Sequence, residues 1–349
     1  MIRRFSNCSR ILSELTTQDC WTRLEEIKHR VVGSEWSLLD DGLSAYHAKQ
    51  YYITLQSVLK NNTMAFMNAS KTVDGKLSQF QKELDEKFRK GLPVFPGYEF
   101  IYCTPMSSEN ELSFDGYDNH ESISEFDQNL MKYTRDFFRR RMWTGGDIRF
   151  SRRDSGLHYG DAIRLVEKVK RMRYMGSDPL ARSFKSFVDY ERLFLDEETN
   201  SVISSELRRI VFLNDTFHEK EYVPETIDNE ADFETKVTPS HVSNMRVSSL
   251  TFNSHKIHYD RDYATNVEKY PDLVVEGPLL VGLLLQSFHD NFGEHEMAQF
   301  TYKIMAPVMV NEEIRLCIKE MGPTNWSLWI DNGLDKNILK GKLKCYSKE

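Results

Sequence analysis

The chain has 349 residues, of which 40% are hydrophobic and 28% charged, and a net charge of -7. That length is about two domains with a substantial buried core, and the balance is that of a globular chain rather than a disordered or fibrous one. The acidic total leaves no global footprint for nucleic acid, and no apolar run reaches the roughly 18 residues that a membrane span needs.

Met1 to Leu15 carries Arg3, Arg4 and Arg10, three serines and no acid before Glu14. Ile2, Phe5, Ile11, Leu12 and Leu15 can share one helical face. Such an Arg- and Ser-bearing, acid-poor start reads as a mitochondrial targeting segment, with residues 1–30 forming it and its lead-in. Asp19–Val32 predicts a mixed-charge helix. Asp40–Leu59 predicts a second, capped by Asp40 or Asp41. Asn61–Gly91 is polar and helix-prone, a connecting insertion. Leu92–Tyr102, with Pro93, Pro96 and Gly97, is a tight turn into a buried segment. Thr104–Asp127 is acidic and Ser-rich, and is expected to be a mobile loop.

A β-rich region begins at Arg139-Arg-Arg-Met-Trp-Thr-Gly-Gly. Candidate strands are Gly146–Phe150, Ala162–Met172, Lys185–Leu195 and Val202–Phe212, joined as an antiparallel meander. Arg171, Arg173 and Arg182 read as solvated outer-face charges, with a phosphate contact as the alternative. The runs Arg139–Arg141 and Arg171–Arg173 are candidate docking points for an acidic carrier. Asn214–Val237 is acidic and poor in apolar residues, a linker.

Next comes an apolar run, Val247–Phe252, expected to be a strand. It ends in a polar cluster: Asn253, His255, His258, Tyr259 and Asp260. A second apolar run, Leu273–Val275, ends at Gly277, where a helix begins and runs to about Asn291, with Pro278 at its first position. Four more strands follow: Ala298–Met305, Glu313–Met321, Asn325–Ile330 and Ile338–Tyr346. The five cysteines (Cys8, Cys20, Cys103, Cys317, Cys345) are scattered without a C-x-x-C pair, which gives neither a disulfide framework nor a metal signature.

An internal repeat is visible. Gly160-Asp-Ala-Ile-Arg-Leu-Val-Glu-Lys aligns with Asn311-Glu-Glu-Ile-Arg-Leu-Cys-Ile-Lys, and each is followed by a turn and two strands. A period of that size implies two copies of one α+β domain, each a helix followed by an antiparallel sheet. Only the second copy bears the histidines. Three readings of the cluster stay open on composition: acid/base catalysis by imidazole, a metal site from His255, His258 and Asp260, or a polar turn satisfying itself. Gly277 adds a glycine at a helix N-terminus, where a carbonyl oxygen can approach backbone N–H groups.

Leu250-Thr-Phe-Asn-Ser-His-Lys-Ile-His-Tyr-Asp-Arg-Asp-Tyr-Ala, with Tyr270-Pro-Asp-Leu-Val-Val-Glu-Gly-Pro-Leu-Leu, resembles the MaoC-like hydratase/dehydratase family. More narrowly it resembles the type 2 3-hydroxyacyl-thioester dehydratases of fungal mitochondria. Val237-Thr-Pro-Ser and Arg141-Met-Trp-Thr-Gly-Gly are similar too, and the resemblance spans roughly residues 35 to 349. It implies two tandem hotdog folds, each a long helix wrapped by an antiparallel sheet, arranged as a pseudo-dimer. It also implies removal of water from (R)-3-hydroxyacyl thioesters to give trans-2-enoyl thioesters, with no cofactor or metal, in mitochondrial type II fatty-acid synthesis. The acyl group would ride on acyl carrier protein or coenzyme A, and the chain would act as a monomer or homodimer without nucleic acid. The domains would be a degenerate hotdog at 31–213, the linker at 214–237 and a catalytic hotdog at 238–349.

The family's motif runs Gly-Asp-x-Asn-Pro-Leu-His. Its aspartate falls on Asn253, its asparagine on His255 and its histidine on His258. The resemblance then implies that His258 removes the alpha proton and protonates the departing hydroxyl. Asn253 would orient that hydroxyl or a water, and His255 would support the site or share the acid/base role. Gly277 N–H would polarise the thioester carbonyl, and Asp260 would orient a histidine or cap the turn. Two rival readings remain: a non-catalytic acyl-carrier-binding scaffold, and a hotdog thioesterase using Glu276 or Asp260 to activate water.

Overall fold

A computed structural model describes residues 16–60, 76–118, 125–127, 132–135, 138, 140–217, 230–334 and 336–347. The expected targeting stretch Met1–Leu15 lies outside them, as do residues 61–75 of the expected insertion. Helix α1 (Thr17–Val31) opens with a capping box between Thr16 and Asp19 and buries Cys20, Leu24 and Ile27 along one face. Those three pack with Val169, Met172, Phe184 and Val188. Residues 17–30 are thus built into the first half rather than standing outside it as a lead-in.

Strand β1 (Glu35–Asp40) is followed by helix α2 (Ala45–Leu59). The cap of α2 is Ser44, whose side chain accepts the N–H of His47. Neither Asp40 nor Asp41 serves. Asp40 closes β1 opposite Ile163, and its carboxylate accepts Gly42 N–H. After α3 (Lys76–Lys87), Tyr98–Ile101 forms a buried single turn, as the Pro/Gly pattern before it predicts.

The remaining strands are β2 (Glu125–Asp127), β3 (Lys132–Arg135), β4 (Arg140–Arg149), β5 (Ile163–Met175), β6 (Lys185–Asp196), β7 (Val202–Leu213), β8 (Phe233–Val237), β9 (Met297–Ile304), β10 (Ile314–Gly322), β11 (Asn325–Asp331) and β12 (Asn337–Cys345). β2 and β3 pair with each other. The others form one ten-stranded sheet in the order β1-β5-β6-β7-β4-β9-β12-β11-β10-β8. Read outward from the centre, each half repeats one order: its first strand, then its last, third and second, then its lead-in strand. The sequence repeat sits in that symmetry, with Ile163 and Ile314 opening the equivalent strands β5 and β10. The halves are joined where β4 pairs with β9, from Gly145 opposite Lys303 to Arg149 opposite Gln299. This is the double-hotdog organisation.

Three local expectations are corrected. Val247–Phe252 is not a strand. Helix α4 (His241–Leu250) begins at a capping box on Ser240 and buries Ser243, Asn244, Val247 and Ser248, a helical spacing that the β-branched and Ser-rich run disguised. Phe252, at φ +52, ends the turn that follows it. Leu273–Val275 is an extended segment outside the main sheet, antiparallel to 308–310: Val274 is bridged to Met309, Val275 N–H donates to Val308 O (2.8 Å) and Val310 N–H to Leu273 O (3.0 Å). The linker 214–237 ends in β8, which pairs with β10 from Val237 opposite Ile314 to Phe233 opposite Ile318.

The long helix inside a sheet is α6 (Gly277–Phe292), buried from Leu279 to Phe288. Helix α2 packs beside it so closely that a Cβ on Gly282 would lie 2.1 Å from the Tyr51 hydroxyl, which donates to Pro278 O (3.0 Å). In the first half, Phe100, Ile101, Tyr102 and Cys103 join the same core as Ile163, Leu165 and Phe194. Among the described residues, no helix of that first half occupies its sheet as α6 occupies the second.

Candidate active site

The site is assembled by Asn244 of α4. Its side chain is fully buried and donates to the carbonyls of His258 (2.9 Å) and Val274 (3.0 Å). Its oxygen accepts the N–H of Glu276 (2.8 Å). One amide therefore ties the histidine loop and the start of α6 to the same point. A further tie is Val274 N–H to Ile257 O (2.9 Å).

His258 Nδ1 lies 2.8 Å from Val274 O. A carbonyl can only accept, so Nδ1 carries the hydrogen and Nε2 keeps its lone pair. Burial lowers the pKa of His258 below the ordinary imidazole value of 6.5. Glu276 opposes that shift, and His255 adds to it. At pH 7 the ring is thus a neutral base with Nε2 available. Glu276 Oε1 stands 4.0 Å from that nitrogen. Glu276 is fully buried, and its carboxylate accepts from Ser248 Oγ and from Asn253 Nδ2 at 3.1 and 3.2 Å. Asn253 Oδ1 accepts the N–H of His255 (3.0 Å).

His255 packs edge-on to His258, with ring centroids 5.4 Å apart. Its Nε2 faces Asp115 at 3.6 Å and Glu268 at 3.7 Å. Asp115 comes from the acidic 104–127 segment, expected to be a mobile loop. Its described part is docked: Lys256 N–H donates to Asp115 O (2.8 Å), and Ser254 Oγ to Gly116 O (2.6 Å). Arg141 grips Asp115 through Nε (2.9 Å) and Nη2 (3.1 Å), holding that carboxyl below the usual range against the burial that would raise it. Arg140 is bound to Asp215 (2.7 Å) and Tyr270 (3.1 Å). Arg140 and Arg141 are both buried, so they are not carrier docking points. Arg139 lies outside the described residues. Arg171 and Arg173 are half-exposed on the surface but pair with Asp189, at 2.5 and 3.6 Å.

Gly277 begins α6, where the first N–H groups have no intrahelical acceptor. Trp143 of β4 lies over it, so that a Cβ there would be 2.3 Å from the indole Cε3. The cleft, with about 140 Å³ of free volume, runs between the halves. His258, Asn253, Glu276 and Gly277 line it from the second half, and Arg141 and Trp143 from the first. Its far wall carries Glu167, Arg192 and Arg208. Arg192 bridges Glu167 and Glu206, and Glu206 also takes Arg208 at 2.9 Å.

The structure thus brings His258, Asn253, His255 and Gly277 into one place. Asp260 is used elsewhere: its carboxylate caps helix α5 (Arg261–Asn266) by accepting Tyr263 N–H (3.0 Å). Val274 O orients His258 instead, and Asp115 and Glu268 face His255 at 3.6 and 3.7 Å. Asn244, Ser248 and Asp115 were not singled out in the sequence, and Arg141 and Trp143 stood out only as a basic run and a family-like stretch, not as parts of the site. Asp115, Arg141 and Trp143 come from the half that lacks the histidine cluster. Among the described residues, no group of three or more His, Cys, Asp or Glu is arranged to hold a metal ion, and no helix is long and apolar enough to cross a membrane.

Residues 97–310, more than half of the chain, match the sequence profile of a family described as hydroxyacyl-thioester dehydratase type 2. A protein of Schizosaccharomyces pombe named mitochondrial hydroxyacyl-thioester dehydratase type 2 is 28% identical over 255 residues, covering 68% of this chain and 80% of its own length. A mesaconyl-C(4)-CoA hydratase of Chloroflexus aurantiacus is 29% identical over 235 residues, covering 66% and 76%. Among solved structures, a MaoC-like dehydratase from Phytophthora capsici is similar with a TM-score of 0.61 at 13% identity, over 93% of this chain and 98% of that one, a likeness of fold.

Proposed function

The chain belongs to the hydroxyacyl-thioester dehydratase type 2 family, and from that premise we propose that it removes water from (R)-3-hydroxyacyl thioesters to give trans-2-enoyl thioesters. The observation that carries this reading is His258: a buried imidazole, kept neutral, with its Nδ1 hydrogen fixed on Val274 O and Nε2 free beside the cleft. Nε2 takes the proton from the carbon alpha to the thioester. The carbonyl oxygen, gaining charge, is met by the N–H of Gly277 at the start of α6. The proton then passes to the hydroxyl on the beta carbon, which leaves as water. His255, flanked by Asp115 and Glu268, supports the ring of His258 and the loop that carries it.

The acyl group is carried on acyl carrier protein or coenzyme A, and the setting is mitochondrial fatty-acid synthesis. The S. pombe relative's mitochondrial name supports the location. In the same reading the catalytic half runs from β8 to the C-terminal strand β12, and the first half, with α1, is the degenerate partner that walls the cleft. A thioesterase is the second reading, favoured by one observation: the carboxylate of Glu276 lies in the cleft, where it could activate water. The product decides. Purified protein mixed with a 3-hydroxyacyl or crotonyl thioester should change the enoyl absorbance without releasing thiol. Thiol release would make it a hydrolase, and no reaction would leave a carrier-binding scaffold.

A further inference from the structure

We propose that Glu276 is a second catalytic group, the carboxylate that holds the departing hydroxyl against His258 and takes the place of the motif aspartate replaced by Asn253. The proposal rests on the dehydratase reading above. A glutamate at the N-cap of a helix has an ordinary structural use: its side chain accepts an N–H of the first turn. Glu276 occupies the N-cap of α6 but makes no such bond. Glu276 lines the cleft instead, with no solvent exposure, and Ser248 Oγ and Asn253 Nδ2 both donate to Oε1, the oxygen nearest His258. Burying a carboxylate is costly, and an isosteric amide or an apolar residue would fill the space without that cost.

Asn253 is committed as well. Its Nδ2 serves both oxygens of Glu276, and its Oδ1 takes the N–H of His255. It is a positioning residue for the carboxylate rather than a holder of substrate. The acceptor that the aspartate would supply stands one side chain further on, from a different element.

The separation fits one oxygen. His258 Nε2 and Glu276 Oε1 are 4.0 Å apart. An oxygen about 2.8 Å from each would see them at an angle of about 90°, within the range that a hydroxyl's donor and acceptor directions span. The hydroxyl hydrogen donates to Glu276, and its lone pair accepts from Nε2 only once that nitrogen carries the alpha proton. When His258 takes the alpha proton, the electrons of that C–H bond become the enolate. The imidazolium so formed faces the Glu276 carboxylate. Its Nε2 proton then passes to the hydroxyl oxygen. The C–O bond breaks with its electron pair on that oxygen, and the enolate pair becomes the new double bond. Water leaves, and Glu276 ends as it began.

The test compares wild type, Glu276→Gln and the swapped double variant Asn253→Asp/Glu276→Gln on one 3-hydroxyacyl thioester. Wild type that turns over no such substrate fails the dehydratase reading before Glu276 is touched. Given an active wild type, Glu276→Gln should lower kcat by about 10²–10⁴-fold with KM little changed. The acid limb of its kcat/KM profile should move to lower pH, because His258 loses the charge that raises its pKa. That shift shows that the carboxylate charge faces His258, and the recovery of kcat in the double variant separates a catalytic carboxylate from one that only faces the ring. The double variant should recover at least tenfold over Glu276→Gln. If Glu276→Gln does not fold, the folded double variant alone decides, by being active or inert. Wild-type kcat in Glu276→Gln, an acid limb that stays in place, or a folded but inert double variant overturns the proposal.

Discussion

Gly277→Ala isolates what the N-terminus of α6 contributes. The new Cβ would lie 2.3 Å from Trp143 Cε3, 3.0 Å from Cζ3 and 3.2 Å from Cδ2. Carbon–carbon contacts settle near 3.5–4.0 Å, so the indole and the helix start must separate by about 1 Å or more. Gly277 does not adopt a positive φ, so the strain is steric and not a matter of backbone freedom. Trp143 cannot yield easily. Its Nε1 donates to Gly145 O (3.0 Å), the Arg208 guanidinium stacks 5.0 Å from its ring, and Phe100 and Tyr302 meet it edge-on at 5.5 and 5.8 Å. Overpacking of this kind costs about 1–3 kcal/mol. Displacing the N–H proposed to meet the thioester carbonyl by about 1 Å should cost roughly 10²-fold in kcat. Denaturant midpoints and dehydration kinetics on the same preparation measure both. Trp143→Leu in the Gly277→Ala background should restore part of each by making room. Unchanged stability and turnover in Gly277→Ala would refute the reasoning, and lost stability with full turnover would remove Gly277 from the chemistry.

Four further outcomes follow. His258→Ala should fold and lose dehydration by about 10²–10⁴-fold, read from the enoyl absorbance. The lowered pKa of His258 means that the unfolded chain binds the proton more readily. Its contribution to stability is therefore present above the ordinary imidazole value of 6.5 and lost as pH falls through the depressed one. His258→Gln should flatten that stretch of a stability–pH curve. Arg192→Met should destabilise by about 3–5 kcal/mol in chemical unfolding, because Glu167 and Glu206 lose the guanidinium they share in the interior. Asn244→Ala leaves the His258 and Val274 carbonyls and the Glu276 N–H without their common partner. At about 1–3 kcal/mol for each buried group, it should be among the more damaging single changes, visible in both the unfolding midpoint and kcat.

The sequence was most legible where local pattern and final structure agree. β5, β6 and β7, and their counterparts β10, β11 and β12, alternate in the chain as they alternate in the sheet, and turn residues mark their ends. The repeat that aligned Ile163 with Ile314 is the same symmetry seen from the side of sequence. Reading failed at Val247, where β-branched and Ser-rich composition pointed to a strand and a cap at Ser240 decided for a helix. It failed again at Asp115. That residue matters because Arg141, 26 positions away, fixes it beside a histidine 140 positions away, and no window of sequence contains both facts. Glu276 was in view beside Gly277 throughout. Its place against Asn253 and His258 needs the clamp by Asn244, and nothing in the spelling of α4 announces that clamp.

The pairing of β4 with β9 has a consequence for how the protein behaves in solution. Trp143 and Arg141 line the cleft from the first half, and Asp115 of that half faces His255, but both halves belong to one polypeptide. A site shared between separate subunits loses activity as the subunits part on dilution. Here the two contributors are tethered for life. Turnover per molecule should stay constant from concentrated stock to the lowest assayable concentration, whatever further association the chain undergoes.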